Sequence, residues 1–134
     1  MTNFDGVSPE ARADAQALIS AIARADAALD LEGFLALLAP DAVMRIGSQP
    51  ALVGVHAIRA AIAGLFGAMR SGVIHEVGRV WGDKTSLAYQ AEATFPLRDG
   101  RDLTLPYVNV LDVGPDKRVF RYVIAIDLAP MRGA

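Results

Sequence analysis

The sequence contains no cysteine and only two histidines, His56 and His75. Without thiols there is no disulfide framework and no thiolate nucleophile, and the sulfur ligands of most structural zinc sites are missing. Neither a phosphate-binding loop nor a G-x-S-x-G motif is present. We therefore expect no metal site and no cofactor.

Long apolar runs and clustered charges are also missing. No window approaches the length of apolar sequence that a membrane-spanning helix needs, and the first residues have neither a basic start nor an apolar signal core. The 13 basic residues are scattered among 15 acidic ones, and the net charge is -2. We expect a soluble, cytoplasmic protein that binds neither membranes nor nucleic acid.

Apolar residues are abundant. They make up 53% of the 134 residues, which is more than the core of a monomer of this size needs. The length is typical of a single domain spanning 1–134. The apolar excess predicts that part of the surface is covered by a second subunit.

The apolar periodicity divides the chain into two halves. Apolar residues at three- and four-residue steps predict helices over 8–28, over the short segment LEGFLALLA capped by Asp30, and over 55–69. After Ser71-Gly72 the period becomes strand-like, and turn signals leave four long antiparallel strands over 73–81, 85–95, 101–113 and 118–128. Helices followed by a meander of strands predict an α+β domain.

Alternation along the second long strand separates its side chains into two faces, one with Tyr89 and Phe95 and the other with Gln90 and Glu92. Neither face is plainly polar, so we expect the outer face of the sheet to form a homodimer interface. Tyr89 and Phe95 are the residues expected on that outer face.

Several strings resemble the nuclear transport factor 2-like superfamily and, within it, the SnoaL-like proteins. They include DLEGFLALLAPDAVM, IHEVGRVWGDKTSLAYQAEATF and RVFRYVIAIDLAP. The resemblance implies a cone in which a curved antiparallel sheet wraps around three N-terminal helices and encloses a cavity. It also implies a homodimer joined through the sheets.

The resemblance leaves two functions open, because this fold carries isomerases, cyclases, dehydratases, epoxide hydrolases and non-catalytic binders alike. The first is an acid–base enzyme that acts on a small apolar compound bearing a carbonyl or a hydroxyl. The second is a non-catalytic ligand-binding or dimerisation module.

Comparison with limonene epoxide hydrolases places their Arg-x-Asp pair on Gln90 and Glu92, and their second aspartate on Ile124. Only one carboxylate is left, so the two-carboxylate mechanism is not expected here. The same comparison points Gln90 and Glu92 into the cone, which makes Glu92 a candidate general acid or base. The alternative is that Glu92 forms a salt bridge with Arg79 or Arg101.

The SnoaL-like cyclases place a catalytic aspartate in the last strand and a histidine nearby, and Asp127 and His75 are the nearest matches. Asp127 could instead tie down the C-terminal segment, and His75 could be held by a backbone carbonyl.

Five residues are predicted to contact the ligand. Tyr122 and Gln90 would orient it, and Met44 would form part of the core or of the cavity wall. Tyr107 and Asn109 share a face of the third long strand, where they either bind the ligand or satisfy polar groups at the dimer interface; we favour the interface.

Overall fold

Residues 1–132 are described here in a computed structural model of the protein. The helices are α1 (Arg12–Ala27), α2 (Leu31–Leu35) and α3 (Val55–Gly67). The strands are β1 (Asn3–Val7), β2 (Leu38–Ile46), β3 (Leu52–Val53), β4 (Ile74–Gly82), β5 (Ser86–Pro96), β6 (Asp102–Val113) and β7 (Val119–Ile126). None of the helices within these residues is long and apolar enough to span a bilayer.

The seven strands form one curved, unclosed sheet in the order β1-β4-β5-β6-β7-β2-β3. The four long strands β4 to β7 are antiparallel neighbours, whereas β1 pairs with β4 and β2 pairs with β7 in parallel. The sheet is therefore mixed. The predicted α+β fold, with three helices and a curved sheet, is confirmed, and each long strand lies within two residues of its predicted bounds.

Three local predictions are wrong. β1 was not expected, because this short strand has no alternating apolar pattern of its own and is defined by its pairing with β4. The second helix ends at Leu35 rather than near Pro40, because β2 already begins at Leu38. The first helix begins at Arg12 rather than at residue 8, because residues Pro9–Ala11 form a 3-10 turn in which the Ser8 backbone carbonyl accepts from the Ala11 N–H.

The concave face of the sheet carries the core. Along β5 the buried side chains are Leu87, Tyr89, Ala91, Ala93 and Phe95, and they face the helices. Gln90 and Glu92 are exposed on the convex face. The assignment of the two faces from the hydrolase comparison is thus inverted. An error of one residue in strand register moves every side chain to the opposite face, and this explains the inversion.

The C-terminal end of α1 lies directly against the start of β4. The Val73 N–H donates to the Asp26 carbonyl over 3.1 Å. A Cβ atom at Gly72 would lie only 1.8 Å from the Ala27 carbonyl oxygen. Glycine is therefore needed at position 72 for this close approach, which fixes the position of Asp26 relative to the first residues of β4.

Replacing Gly72 by alanine tests this contact. The added Cβ overlaps a backbone oxygen, so we expect Gly72→Ala to destabilise the protein by about 2–3 kcal/mol in denaturant unfolding. Gly64→Ala is the matched control, because Gly64 lies within α3 with no atom within 4 Å of its added Cβ. That variant should gain about 0.5–1 kcal/mol from helix propensity. Equal stability of the two variants would contradict the proposed role of Gly72.

Candidate functional site

A cavity of about 410 Å³ lies between the helices and the concave face of the sheet. Its volume is in the range of small-molecule sites. Most of its wall is apolar and includes Phe34, Leu52, Ile62, Phe66, Phe95 and Ile124. Five polar or ionisable side chains with little exposure interrupt this wall: Asp26, His75, Tyr107, Asn109 and Tyr122; the exposed Gln49 also lines the cavity. Few polar groups in an apolar cavity are typical of a ligand site.

Three of these side chains form a hydrogen-bonded row. His75 Nε2 lies 2.6 Å from Asp26 Oδ2, and His75 Nδ1 lies 2.6 Å from Tyr107 Oη. The side chains of His75 and Asp26 are only 12% and 15% exposed. Both nitrogens of the imidazole are therefore engaged, and the Tyr107 hydroxyl is the end of the row farthest from Asp26.

The sheet register explains how His75 and Tyr107 meet although β5 separates their strands. His75 on β4 lies opposite Ala93, and Tyr107 on β6 lies opposite Ala91. The methyl side chains of these two alanines leave room above β5. The imidazole and the phenol can therefore approach each other across β5, and their rings meet edge to face with centroids 5.5 Å apart.

The row can hold a proton in two arrangements. When His75 is neutral, Nε2–H donates to the Asp26 carboxylate and Nδ1 accepts from the Tyr107 hydroxyl. When His75 is protonated, both ring nitrogens donate, and the phenolic O–H of Tyr107 is released toward the cavity. Tyr107 can therefore accept a hydrogen bond from a ligand in the first state and donate one in the second.

A second polar cluster adjoins the row. Asn109 Nδ2 donates to Tyr89 Oη over 2.9 Å and to Tyr122 Oη over 3.4 Å. Asn109 is only 3% exposed, and its Oδ1 has no hydrogen-bond donor within the described residues. The ring of Tyr122 also contacts that of Phe34, with centroids 5.9 Å apart. Both donors of the amide are used, and its acceptor is unsatisfied.

Residues 15–122 match the family described as the SnoaL-like domain. The chain belongs to the SnoaL-like family. No curated protein matches this SnoaL-like chain at a significant level.

Solved structures show the same fold at low sequence identity. A protein assigned as a SnoaL-like polyketide cyclase from Jannaschia sp. CCS1 has a TM-score of 0.76 at 19% identity, over 95% of this chain and 94% of that one. An epoxide hydrolase of the LEH-like type from M. tuberculosis has a TM-score of 0.73 at 16% identity, over 90% and 87%. A Mycobacterium tuberculosis protein in complex with estradiol-17beta-hemisuccinate has a TM-score of 0.75 at 19% identity, over 86% and 95%.

Four of the residues predicted from sequence line the cavity of this SnoaL-like domain: His75, Tyr107, Asn109 and Tyr122. Tyr107 and Asn109 point to the concave side, so the preference for an interface position is wrong. The hydrogen-bond partners of His75 are side chains rather than a backbone carbonyl.

Four other predicted residues lie outside the cavity wall. Glu92 and Gln90 are on the convex face, where Glu92 lies opposite Glu76 of β4 and forms no salt bridge within residues 1–132. Asp127 is exposed, and its Oδ1 accepts from the Ala129 N–H over 3.0 Å. It therefore ties down the C-terminal turn, as the alternative interpretation proposed. Met44 is fully buried in the core and does not line the cavity.

Asp26 is the site residue that the sequence analysis missed. A signal for it exists, since Asp26 follows Ile19 and Ile22 at the seven- and four-residue steps of one helix face. A lone carboxylate on the apolar face of a helix must find a partner inside the protein. Within the described part of the chain, no three histidine, aspartate or glutamate side chains cluster as metal ligands.

Burial governs the ionisation of the tyrosines in the two clusters. It raises the pKa of Tyr89 to about 12 and also raises the pKa of Tyr107 and of Tyr122. Folding therefore favours the neutral phenols. Stability is unaffected well below the unfolded-state pKa of 10.0, falls as the pH rises above it, and reaches its limit above the folded-state pKa.

Alkaline titration tests this burial, because these are the only three tyrosines in the sequence. We expect phenolate absorbance to remain low above the ordinary tyrosine pKa and to rise only as the protein unfolds. Tyr89 alone should cost about 3 kcal/mol across its titration, so Tyr89→Phe should flatten the loss of stability with pH. Phenolate formation at the ordinary pKa in a protein that remains folded would contradict the buried positions.

Proposed function

We propose that the protein is an acid–base enzyme that acts on a small, largely apolar compound bearing a carbonyl or a hydroxyl. The observation that carries this proposal is the Asp26–His75–Tyr107 row in the wall of an apolar cavity. A base held by a carboxylate and hydrogen-bonded to a hydroxyl is the arrangement that proton transfer requires.

In the proposed reaction, a proton leaves the ligand for Tyr107 Oη while the phenolic proton passes to Nδ1 of His75. The imidazolium that forms is stabilised by the Asp26 carboxylate, which lies 2.6 Å from Nε2. The reverse sequence delivers a proton to a ligand oxygen or carbon. Isomerisation needs only such paired proton transfers. Dehydration couples them to the loss of a protonated hydroxyl as water, and aldol-type cyclisation couples them to attack of the enolate carbon on a carbonyl of the same molecule.

The environment of the row supports this assignment. Burial raises the pKa of Tyr107 and so keeps its hydroxyl neutral. A neutral hydroxyl can donate to an oxygen on which negative charge develops. The apolar wall excludes water and strengthens the electrostatic contacts within it. The carboxylate of Asp26 lies in this apolar wall, whereas the carboxylates of Glu92 and Asp127 are exposed to solvent.

The structural neighbours are consistent with small-molecule chemistry. One is assigned as a polyketide cyclase, another is an epoxide hydrolase and a third was solved with an estradiol ester. Their identities to this chain are below 20%, so they support a small-molecule cavity but not one reaction.

Deuterium exchange into β-tetralone, a compact apolar ketone, tests the proposal. We expect the protein to accelerate exchange of the α-protons in deuterated buffer, as measured by NMR. Tyr107→Phe, His75→Gln and Asp26→Asn should each reduce the rate by about 100-fold or more, which is typical of the loss of a general acid–base group.

Glu92→Gln and Asp127→Asn are the matched controls, since both carboxylates are exposed and lie outside the cavity. They should exchange the ketone at the rate of the unmodified protein. If Glu92→Gln abolishes exchange while Tyr107→Phe does not, the proposed row is not the acid–base centre. Binding of the ketone without any exchange would favour the non-catalytic ligand-binding alternative.

We also propose that the convex face of the sheet pairs with a second copy of the chain. Trp81, Val108 and Val110 are 39%, 41% and 38% exposed there. Strand pairing places Trp81 in one row with Ala88, Val110 and Val123, so these apolar side chains are contiguous. An exposed apolar surface of this kind on a small domain is typical of an interface.

The dimer is testable by light scattering coupled to size-exclusion chromatography. We expect the protein to elute as a dimer at micromolar concentration, and Val110→Arg, which places a charge within the apolar row, to elute as a folded monomer. Thr104→Arg is a suitable control, because Thr104 is exposed on the same strand, opposite Thr94 rather than in the apolar row. A monomeric unmodified protein would contradict the proposal.

A further inference from the structure

The unsatisfied acceptor in the cavity wall constrains the ligand beyond the acid–base proposal. Asn109 is almost wholly buried, and its amide nitrogen donates to the oxygens of Tyr89 and Tyr122. Among residues 1–132 no group donates to its Oδ1. Because a buried acceptor without a donor is costly, water or a ligand must supply one.

The two tyrosines do not fill this role in the observed arrangement. Neither hydroxyl is in hydrogen-bonding position to Oδ1. The amide nitrogen donates to both oxygens. The tyrosine hydroxyls and the amide N–H groups are thus arranged around one end of Asn109, and the carbonyl oxygen at its other end is left free.

We propose that Asn109 Oδ1 accepts a hydrogen bond from a hydroxyl or N–H group of the ligand. A ligand that packs against Asn109 loses affinity unless it brings a donor for Oδ1, which is otherwise enclosed without one. The substrate is therefore an apolar compound with two polar functions. One is the oxygen or acidic carbon that reacts at Tyr107, and the other is a hydrogen-bond donor that contacts Asn109.

The strand geometry sets the separation of these two functions. Tyr107 and Asn109 are two residues apart on the same face of β6. Side chains at this spacing are about 7 Å apart along a strand. A compact ring system with oxygen functions at opposite ends can span this distance. This inference rests on the proposed function for the group at Tyr107 but not for the contact with Asn109.

A pair of ligands that differ in the donor and in one methyl group tests the assignment, and the Asn109 variant below controls for the methyl group. β-Naphthol carries a hydroxyl donor, whereas its methyl ether keeps the oxygen as an acceptor and loses the donor. We expect β-naphthol to bind the unmodified protein at least about tenfold more tightly in calorimetric titration. Its binding should also shift the side-chain amide resonances of Asn109 in NMR spectra, and the ether should shift them less.

Variants separate Asn109 from the other polar groups. The preference for β-naphthol should disappear in Asn109→Leu and persist in Tyr107→Phe, which leaves the Asn109 amide in place. If Asn109→Leu fails to fold, the two ligands with the unmodified protein and the NMR shifts still decide the question. Equal affinity for the two compounds, tighter binding of the ether, no binding of either, or a preference that is lost in Tyr107→Phe would overturn the proposal.

The outcome is independent of the exchange assay with β-tetralone. Equal binding of naphthol and ether would remove the Asn109 contact and leave the acid–base row intact. The opposite outcome is also possible. If every variant of the row keeps its exchange activity while the protein strongly prefers naphthol, the row has no acid–base function and the cavity is a donor-selective binding site.

Discussion

The contact between the end of α1 and the start of β4 is the constraint on which the site depends. It brings the carboxylate of Asp26 within 2.6 Å of His75 Nε2. The hydrogen bond from the Val73 N–H to the Asp26 carbonyl fixes the same junction. A partner for Nε2 determines what Nδ1 can do, because the two ring nitrogens of a neutral imidazole have opposite roles. The helix therefore places the proton of the neutral imidazole on Nε2, so that Nδ1 accepts from Tyr107 and the phenol presents an acceptor to the cavity.

The fold was largely predictable from the period of the apolar residues. The change from helical to strand-like periodicity after Gly72 and the three turn signals define the four long strands closely. β1 and the early end of α2 were not predictable in this way, since both depend on tertiary pairing. β1 is defined by β4, and the chain leaves α2 because β2 has to pair with β7. Local sequence contains little information about partners so distant in the chain.

The site was less predictable, because alternation along a strand defines two sets of residues without saying which set faces inward. The alignment with the epoxide hydrolases was wrong by one residue along β5. This error exchanged the two faces of the strand and placed Glu92 inside the cavity. The β4–β5 register itself argues against that position. It places Glu76 directly opposite Glu92, and two facing carboxylates inside an apolar cavity would be strongly unfavourable. The sequence could have identified Asp26 as the single charge on the apolar face of α1. It could not have identified His75 of β4 as the partner of Asp26.

The polar groups on the concave face distinguish the possible functions by what each would require. A module that only dimerises through the convex face needs an apolar core, and replacing buried polar networks by apolar residues is often neutral or stabilising. A binding module needs an anchor such as Asn109, but no histidine with both nitrogens engaged. A core that served stability alone could have apolar side chains in place of the carboxylate, imidazole and phenol of the row. Under the proposed function, their value lies in moving a proton between Tyr107 and His75, and the two alanines of β5 leave the space that this row requires.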